Sequence, residues 1–230
     1  MSGPAQLPLA LGSWPSLAAD DFVVTPANGE AVAWIERYPD WPATLVALHG
    51  PAGCGKSHLL HLWRQRSRAV LIEPAALSVA AVPSLLGPSR AVAIDFGAAE
   101  PGAVCEERAL LHLYNLLRER QGHVLVAARA APPRWALTLP DLRSRLGASA
   151  SVAIAAPDDL LLAGVLGKLF ADRQLRVPPG LIEYLVSRIE RSLDAAARVV
   201  ERLDRAALDR RRSLSVALAR EVLDENSGQN

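Results

Sequence analysis

The segment Gly50-Pro51-Ala52-Gly53-Cys54-Gly55-Lys56-Ser57 combines three glycines, a lysine and a hydroxyl at spacings that suit one chemistry, the holding of a phosphate chain. Glycines let the backbone turn so that successive N–H groups point inward at an anion. A helix starting at Lys56 adds the positive end of its dipole. Lys56 then reaches the outer phosphates, Ser57 is placed to ligate Mg2+, and His58 continues the binding segment. The apolar run Leu45 to Leu48 before the loop reads as a buried strand, and helical spacing resumes from Lys56 to Arg66. That strand–loop–helix context separates a phosphate loop from a chance glycine-rich turn. The ligand it implies is a nucleotide with Mg2+.

A magnesium ion on a phosphate chain needs a carboxylate beside Ser57. Ala91-Val92-Ala93-Ile94-Asp95 offers one at the end of an apolar strand. The groups that drive hydrolysis are missing around it. Phe96 stands where many phosphate-loop ATPases carry a second acid, and phenylalanine accepts no proton. Val124-Leu125-Val126 runs into Ala127-Ala128, where a polar residue would sense the γ-phosphate. The sequence keeps groups that bind and lacks two that hydrolyse. Arg145 and Arg191 could stabilise charge on a phosphate, in their own site or a neighbour's. By residue type alone, both are ordinary surface charges of amphipathic helices. Near the start, Gln6-Leu7-Pro8-Leu9-Ala10-Leu11 sets a glutamine before spaced leucines. The pattern suits an apolar pocket on a partner, though composition alone favours an ordinary apolar N-terminus.

The elements that must position these residues alternate. Residues 1–19 hold Gly, Pro, Ser and Ala without helical period, and read as a flexible arm. A helix begins after Asn28, a plausible N-cap, and Pro39 and Pro42 end it. Strands are expected at Ala69 to Ile72, Ala91 to Ile94, His123 to Ala127 and Ser151 to Ala155, and a helix at Glu106 to Arg120. Strands apolar on both faces, alternating with helices, predict an α/β fold with a parallel sheet over residues 20–156. After Pro157 the strands stop. Leu160 to Phe170, Leu181 to Ile189, Leu193 to Leu208 and Val216 to Leu223 have helical spacing, which predicts an all-helical unit over 157–226 and a polar disordered tail at 227–230.

Charge is balanced, with 25 basic and 24 acidic residues, so bulk electrostatics do not make this a nucleic-acid coat, and DNA contact is expected to be indirect or weak. Cys54 and Cys105 are too few for a disulfide scaffold, and a crosslink at Cys54 would block the loop. No basic segment followed by an apolar run opens the chain, and no apolar stretch is long enough to span a bilayer. The expected compartment is a reducing cytoplasm, without membrane association.

Further segments carry a family resemblance. They are Asp21-Phe22-Val23-Val24, Pro26-Ala27-Asn28, Leu113-Tyr114-Asn115, Pro132-Pro133-Arg134-Trp135, Leu139-Pro140-Asp141-Leu142, Ser144-Arg145-Leu146 and Leu203-Asp204-Arg205-Ala206. Together with the arm and the phosphate loop, they resemble the Hda family of DnaA-homologous bacterial regulators, particularly its shorter alphaproteobacterial forms. The resemblance implies an AAA+ fold, a nucleotide-binding α/β domain followed by a helical lid, with ADP or ATP and Mg2+ as ligands. It implies that Gln6, Leu7, Leu9 and Leu11 dock on the DNA polymerase sliding clamp, with Ala10 where proline is more usual. It implies that Arg145 is an arginine finger reaching ATP on DnaA and that Arg191 is a lid arginine sensing the bound nucleotide. The family acts in an ADP-bound form and restrains re-initiation of replication. A DnaA-like DNA-associated loader and a self-sufficient ATPase are the competing readings. The loader stays open and is separated by pull-down with the sliding clamp; a DNA-binding initiator like DnaA is disfavoured by the lack of sequence after the lid for a DNA-binding domain, and the self-sufficient ATPase by Phe96 and Ala127. Whether the chain assembles with copies of itself is left open.

Overall fold

In the computed structural model, which describes residues 23–227, five short apolar segments line up as one parallel sheet. The arm residues Gln6, Leu7, Leu9 and Leu11 and the last three residues lie outside the described part. The strands are β1 (Leu45–His49), β2 (Val70–Leu71), β3 (Ala91–Asp95), β4 (His123–Ala128) and β5 (Ala150–Ala153), in the order β2-β3-β4-β1-β5. Parallel neighbours need crossovers. These contain α2 (Lys56–Ser67), α3 (Val82–Leu86), α4 (Pro101–Val104) with α5 (Glu107–Glu119), and α6 (Pro140–Gly147), while α1 (Gly29–Glu36) precedes the sheet.

Side chains alternate across a strand, and this parity divides the core. Leu45, Val92, Ile94, Val124 and Val126 face α5, which buries Leu110, Leu113 and Leu117 against them. Val46, Leu48, Ala91, Ala93, Leu125 and Ala127 face α1 and α2, against Ile35, Leu59 and Trp63. Fully burying one such leucine contributes about 1.5–3 kcal/mol. A third apolar core belongs to α7 (Asp159–Asp172), α8 (Leu181–Val186), α9 (Leu193–Asp209) and α10 (Val216–Ser227). Side-chain caps start three of them: Asp158 accepts from Leu161 N–H at 2.7 Å, Ser192 from Ala195 N–H at 3.3 Å, and Ser215 from Leu218 N–H at 3.1 Å.

Three sequence expectations need correction. Asn28 precedes α1, yet its side chain does not cap the helix. Its Oδ1 accepts from Thr25 N–H at 2.8 Å and its Nδ2 donates to Val23 O at 2.9 Å, which braces the turn before α1. β2 holds two residues where four were expected, because it is the sheet edge: Ala69 and Ile72 turn into the two cores while Leu71 stays exposed. α10 continues to Ser227, past Glu225 and into the predicted tail. No helix among the described residues is long and apolar enough to cross a membrane.

Candidate functional site

The phosphate loop leaves the end of β1 and enters α2. Its glycines are demanded by the surroundings. A Cβ on Gly50 would lie 2.2 Å from Ile154 O, and Gly53 and Gly55 sit at φ +65° and +101°. The first helical bond of α2 is Leu59 N–H to Gly55 O at 3.0 Å, so the N–H groups before it have no acceptor within the helix. Lys56 is 7% exposed, and its ammonium donates to Gly50 O at 2.9 Å and Pro51 O at 2.6 Å. Its third contact is with Cys54 Sγ at 3.5 Å, so all three ammonium contacts lie within the loop and fix its shape.

The loop opens on a cavity of about 320 Å³. Gly53, Cys54, Gly55, Lys56, Ser57 and His58 line one side, and Leu161, Val165, Lys168 and Leu169 of α7 line another. Val23 and Asn28, and Leu193, Asp194 and Ala197 of α9, complete it. One part is apolar and the other is rich in N–H groups and charge, which matches a ligand with a flat apolar ring system at one end and phosphates at the other. Gly50, Pro51 and Ala52 shape the loop without lining the cavity.

Asp95 ends β3 in register with Ala127, which is itself in register with Leu48 of β1. Two strand spacings, about 9–10 Å, therefore separate Asp95 from the strand that feeds the loop. By parity Asp95 falls on the face of Ala91, Ala93 and α2. Its Oδ1 accepts from Gly97 N–H at 2.8 Å. Phe96, one residue on, falls on the opposite face. It is 3% exposed and packs edge-on against Trp135, with ring centroids 5.6 Å apart. Ala127 is fully buried. The positions that lack hydrolytic groups are thus filled by core. His49, ending β1, is held below the usual histidine range by burial and then by the positive Arg134 and Lys56. It is neutral at pH 7.

No cluster of three His, Cys, Asp or Glu residues able to hold a metal occurs among the described residues. Of the two expected Mg2+ ligands Ser57 lines the cavity and Asp95 does not. The glycine cradle and the aimed lysine fit the nucleotide.

The two arginines part company. Arg145 lies on α6, which packs through Leu142 and Leu146 on the α5 face, and it does not line the cavity. Its Nε sits 3.0 Å from Asp141 Oδ1, an i,i+4 pair on a surface where such pairs contribute only about 0.3–0.5 kcal/mol. The guanidinium is therefore cheaply released. Glu107 sets the entry to α6: it accepts from Thr138 N–H at 2.8 Å, Thr138 Oγ at 3.0 Å and Leu139 N–H at 2.6 Å. Burial pushes the Glu107 carboxyl up and these hydrogen bonds pull it down further, to a net value below the ordinary one. Arg191 does not enter the cavity as expected. Its guanidinium pairs with Asp159 Oδ1 at 2.8 Å and donates to Pro157 O at 3.4 Å, an exposed arrangement at the start of α7. The charged lid residues that line the cavity are Lys168 and Asp194. Sequence reasoning missed Asp194, since an acid in the first turn of a helix is unremarkable. It also missed the wall Leu161, Val165 and Leu169, whose i,i+4 spacing was a usable signal.

Comparison with known proteins bears on the fold and the lid. Residues 164–223 match the family model described as Hda, lid domain. Domain III of the replication initiation protein DnaA from Thermotoga maritima is similar at 18% identity and TM-score 0.72, covering 89% of this chain and 94% of that one. AMPPCP-bound DnaA from Aquifex aeolicus is similar at 15% identity and TM-score 0.63, covering 80% of this chain and 63% of that one. RuvB from Thermotoga maritima is similar at 15% identity and TM-score 0.68, covering 86% and 67%. The chain thus spans less than two thirds of the Aquifex initiator. At such identities the likeness establishes the fold: an AAA+ sheet followed by helices that form a lid.

Proposed function

Taking the chain as an Hda-like AAA+ protein, we propose that it is a DnaA-related replication regulator: a nucleotide-bound adaptor, resting with ADP, that docks on the DNA polymerase sliding clamp and promotes hydrolysis of ATP on DnaA. The observation that carries this reading is the pairing of an intact phosphate loop with hydrolytic positions filled by core. Lys56 is held by Gly50 O and Pro51 O, whereas Phe96 is packed on Trp135 and Ala127 is buried. Such a site retains a nucleotide and turns it over slowly, which suits a regulator better than a motor.

In this reading Ser57 and Asp95 hold Mg2+, which neutralises phosphate charge when bound. The loop N–H groups and Lys56 orient the phosphates. Arg145 acts away from its own cavity: released from Asp141, it meets ATP held by the partner and stabilises charge that grows on the transferring phosphate. Gln6, Leu7, Leu9 and Leu11 bring the protein to the clamp. What supports the partner assignments is the lid match and the DnaA-like fold.

Single-turnover hydrolysis of labelled ATP on DnaA, with clamp loaded on DNA, tests the mechanism. Arg145→Ala should bind ADP and clamp normally yet lose stimulation by roughly a thousand-fold or more. Arg143, exposed two residues earlier, is the control. Full stimulation by Arg145→Ala removes Arg145 from the mechanism, and loss confined to Arg143→Ala moves the role to its neighbour. Deletion of residues 1–12 should abolish clamp binding and spare nucleotide binding.

A further inference from the structure

The parallel sheet gathers a second set of cations far from the cavity. All five strands start at the edge opposite the phosphate loop, and α2, α3 and α5 end there, feeding β2, β3 and β4. Arg64, Arg66 and Arg68 close α2 and lead into β2, Arg90 leads into β3, and Arg118 and Arg120 close α5 before β4. Val70 pairs with Val92, so Arg68 and Arg90 each stand two residues ahead of the same rung. Arg90 O accepts from His123 N–H at 2.7 Å, which ties it to the start of β4. Neighbouring strands are about 4.8 Å apart, so these arginines form one row. Arg120 braces the row by donating to Gly87 O at 2.6 Å, in the turn that carries Arg90. Arg66, Arg68, Arg90 and Arg118 are exposed, and the ion pairs found among the described residues involve none of them.

Helix C-termini attract cations, which is the ordinary use of such arginines. The magnitudes show a surplus. Three helix ends supply about −1.5 charges together, at about −0.5 each. Six arginines against one acid, Glu119, leave the row at +5, in a chain whose net charge is only +1. At the entry to β1, Glu36 and Asp40 offset Arg37, and the positive field ends there. We propose that this edge is a docking surface for the phosphate backbone of double-stranded DNA, bound weakly and without regard to sequence. Guanidinium groups take phosphates bidentately, and a duplex presents about one charge per 1.7 Å of axis. The rings at this end offer no platform for unstacked bases: Trp41 and Trp63 are buried, stacked with centroids 5.2 Å apart, and Tyr38 packs edge-on to both. A single strand is therefore the poorer fit. The exposed large apolar side chains Leu71, Val79, Leu160 and Leu208 are scattered singly, so no apolar patch accompanies the arginines into a lipid surface. The length of β1, about 16 Å, separates the row from the phosphate loop, so DNA and nucleotide can be held together.

The test is fluorescence anisotropy of the full chain with a labelled duplex of arbitrary sequence. Between about 50 and 200 mM salt, wild-type affinity should fall roughly 10²- to 10³-fold, as for about four to six phosphate contacts. Arg68→Gln, Arg90→Gln and Arg118→Gln combined should reduce the salt slope by about 2 to 3 and low-salt affinity by roughly tenfold or more. The matching lysine variant keeps the charge and the helix-end complement, and should keep the slope. Arg176→Gln, Arg188→Gln and Arg205→Gln combined, on exposed lid positions, remove the same charge and should leave the slope in place. On the wild type alone, duplex should protect Arg68, Arg90 and Arg118 from phenylglyoxal, read by mass spectrometry, which does not depend on a variant folding. Saturating ADP should change duplex affinity by less than about twofold, because the two sites lie further apart than the screening length. Loss of binding with ADP would move the DNA to the phosphate loop, and equal losses in both glutamine variants would reduce the effect to net charge. Tighter binding to the matching single strand, or to vesicles containing phosphatidylserine, would name a different ligand. Each of these outcomes overturns the proposal, as does absence of duplex binding at low salt.

Discussion

In the loop from Gly50 to Ser57, the polar groups either line the cavity or hold the shape that makes it: Lys56 spends two protons on loop carbonyls, and the glycines yield to Ile154 O and Ser192. At the strand ends beside it, Phe96 and Ala127 belong to the packed interior, and Asp95 is the one of the three that keeps a polar side chain. The two regions lie at the ends of three successive strands of one sheet, β1, β4 and β3, yet one is organised for an anion and the other for a core. Binding groups persist when they also hold the backbone in shape, as Lys56 does. Hydrolytic groups hold nothing else in place, so apolar side chains can replace them and gain burial.

The sharpest way to break this comparison is Phe96→Glu. If Phe96 were only a missing acid, the variant would fold and hydrolyse ATP. The packing against Trp135 predicts a loss of about 3–5 kcal/mol in urea unfolding, because an acid would be driven into the α5 face. ATP turnover in the same preparation should stay at background, and brisk turnover by a stable variant would sink the distinction. A smaller effect is expected on the binding side. Lys56→Ala removes a charged donor aimed from the loop, so ADP affinity should fall roughly 10- to 100-fold by calorimetry. Little change in the unfolding midpoint would show that the lysine serves the ligand more than the fold.

The smallest effect concerns the support of α6. Glu107 titrates below the ordinary carboxylate range because Thr138 and Leu139 hydrogen-bond its charged form. A carboxyl depressed in the folded state adds stability above its unfolded pKa, and loses it as pH falls through the folded value. Glu107→Gln should therefore lower Tm by about 2–4 °C near neutrality, and the gap should close in acid below the usual carboxylate range. Thermal melts of both proteins across pH measure it. A gap independent of pH would show that the charge of Glu107 does not hold the entry to α6.

Much of this molecule was legible because it is written locally. The phosphate loop is a run of contiguous residues whose backbone chemistry decides its shape, so Gly50, Gly53, Gly55, Lys56 and Ser57 could be read without a fold. The strands that cover the sheet's centre announced themselves as short apolar runs, and α5 and α9 as apolar stripes. Phe96 and Asp95 were legible as types, but not as places. Parity along β3 puts them on opposite faces, and what each face meets depends on α2 and on Trp135, which come from other parts of the chain.

Distant contacts decided the remainder. Arg191 and Asp194 are three residues apart, and nothing in their types says which one enters the cavity. Arg191 pairs with Asp159 at the surface, while the Leu193-to-Gly53 hydrogen bond brings the first turn of α9, and Asp194 with it, to the cavity wall. The same holds for Glu107, whose three acceptor bonds cross from α5 to the segment before α6. By itself the sequence determined the groups with intrinsic chemistry and the periodicity of the elements, since both follow from neighbours along the chain. Only the tertiary structure decided which charges share a cavity, because that depends on how the lid helices settle on the loop, through contacts more than a hundred residues apart in the chain.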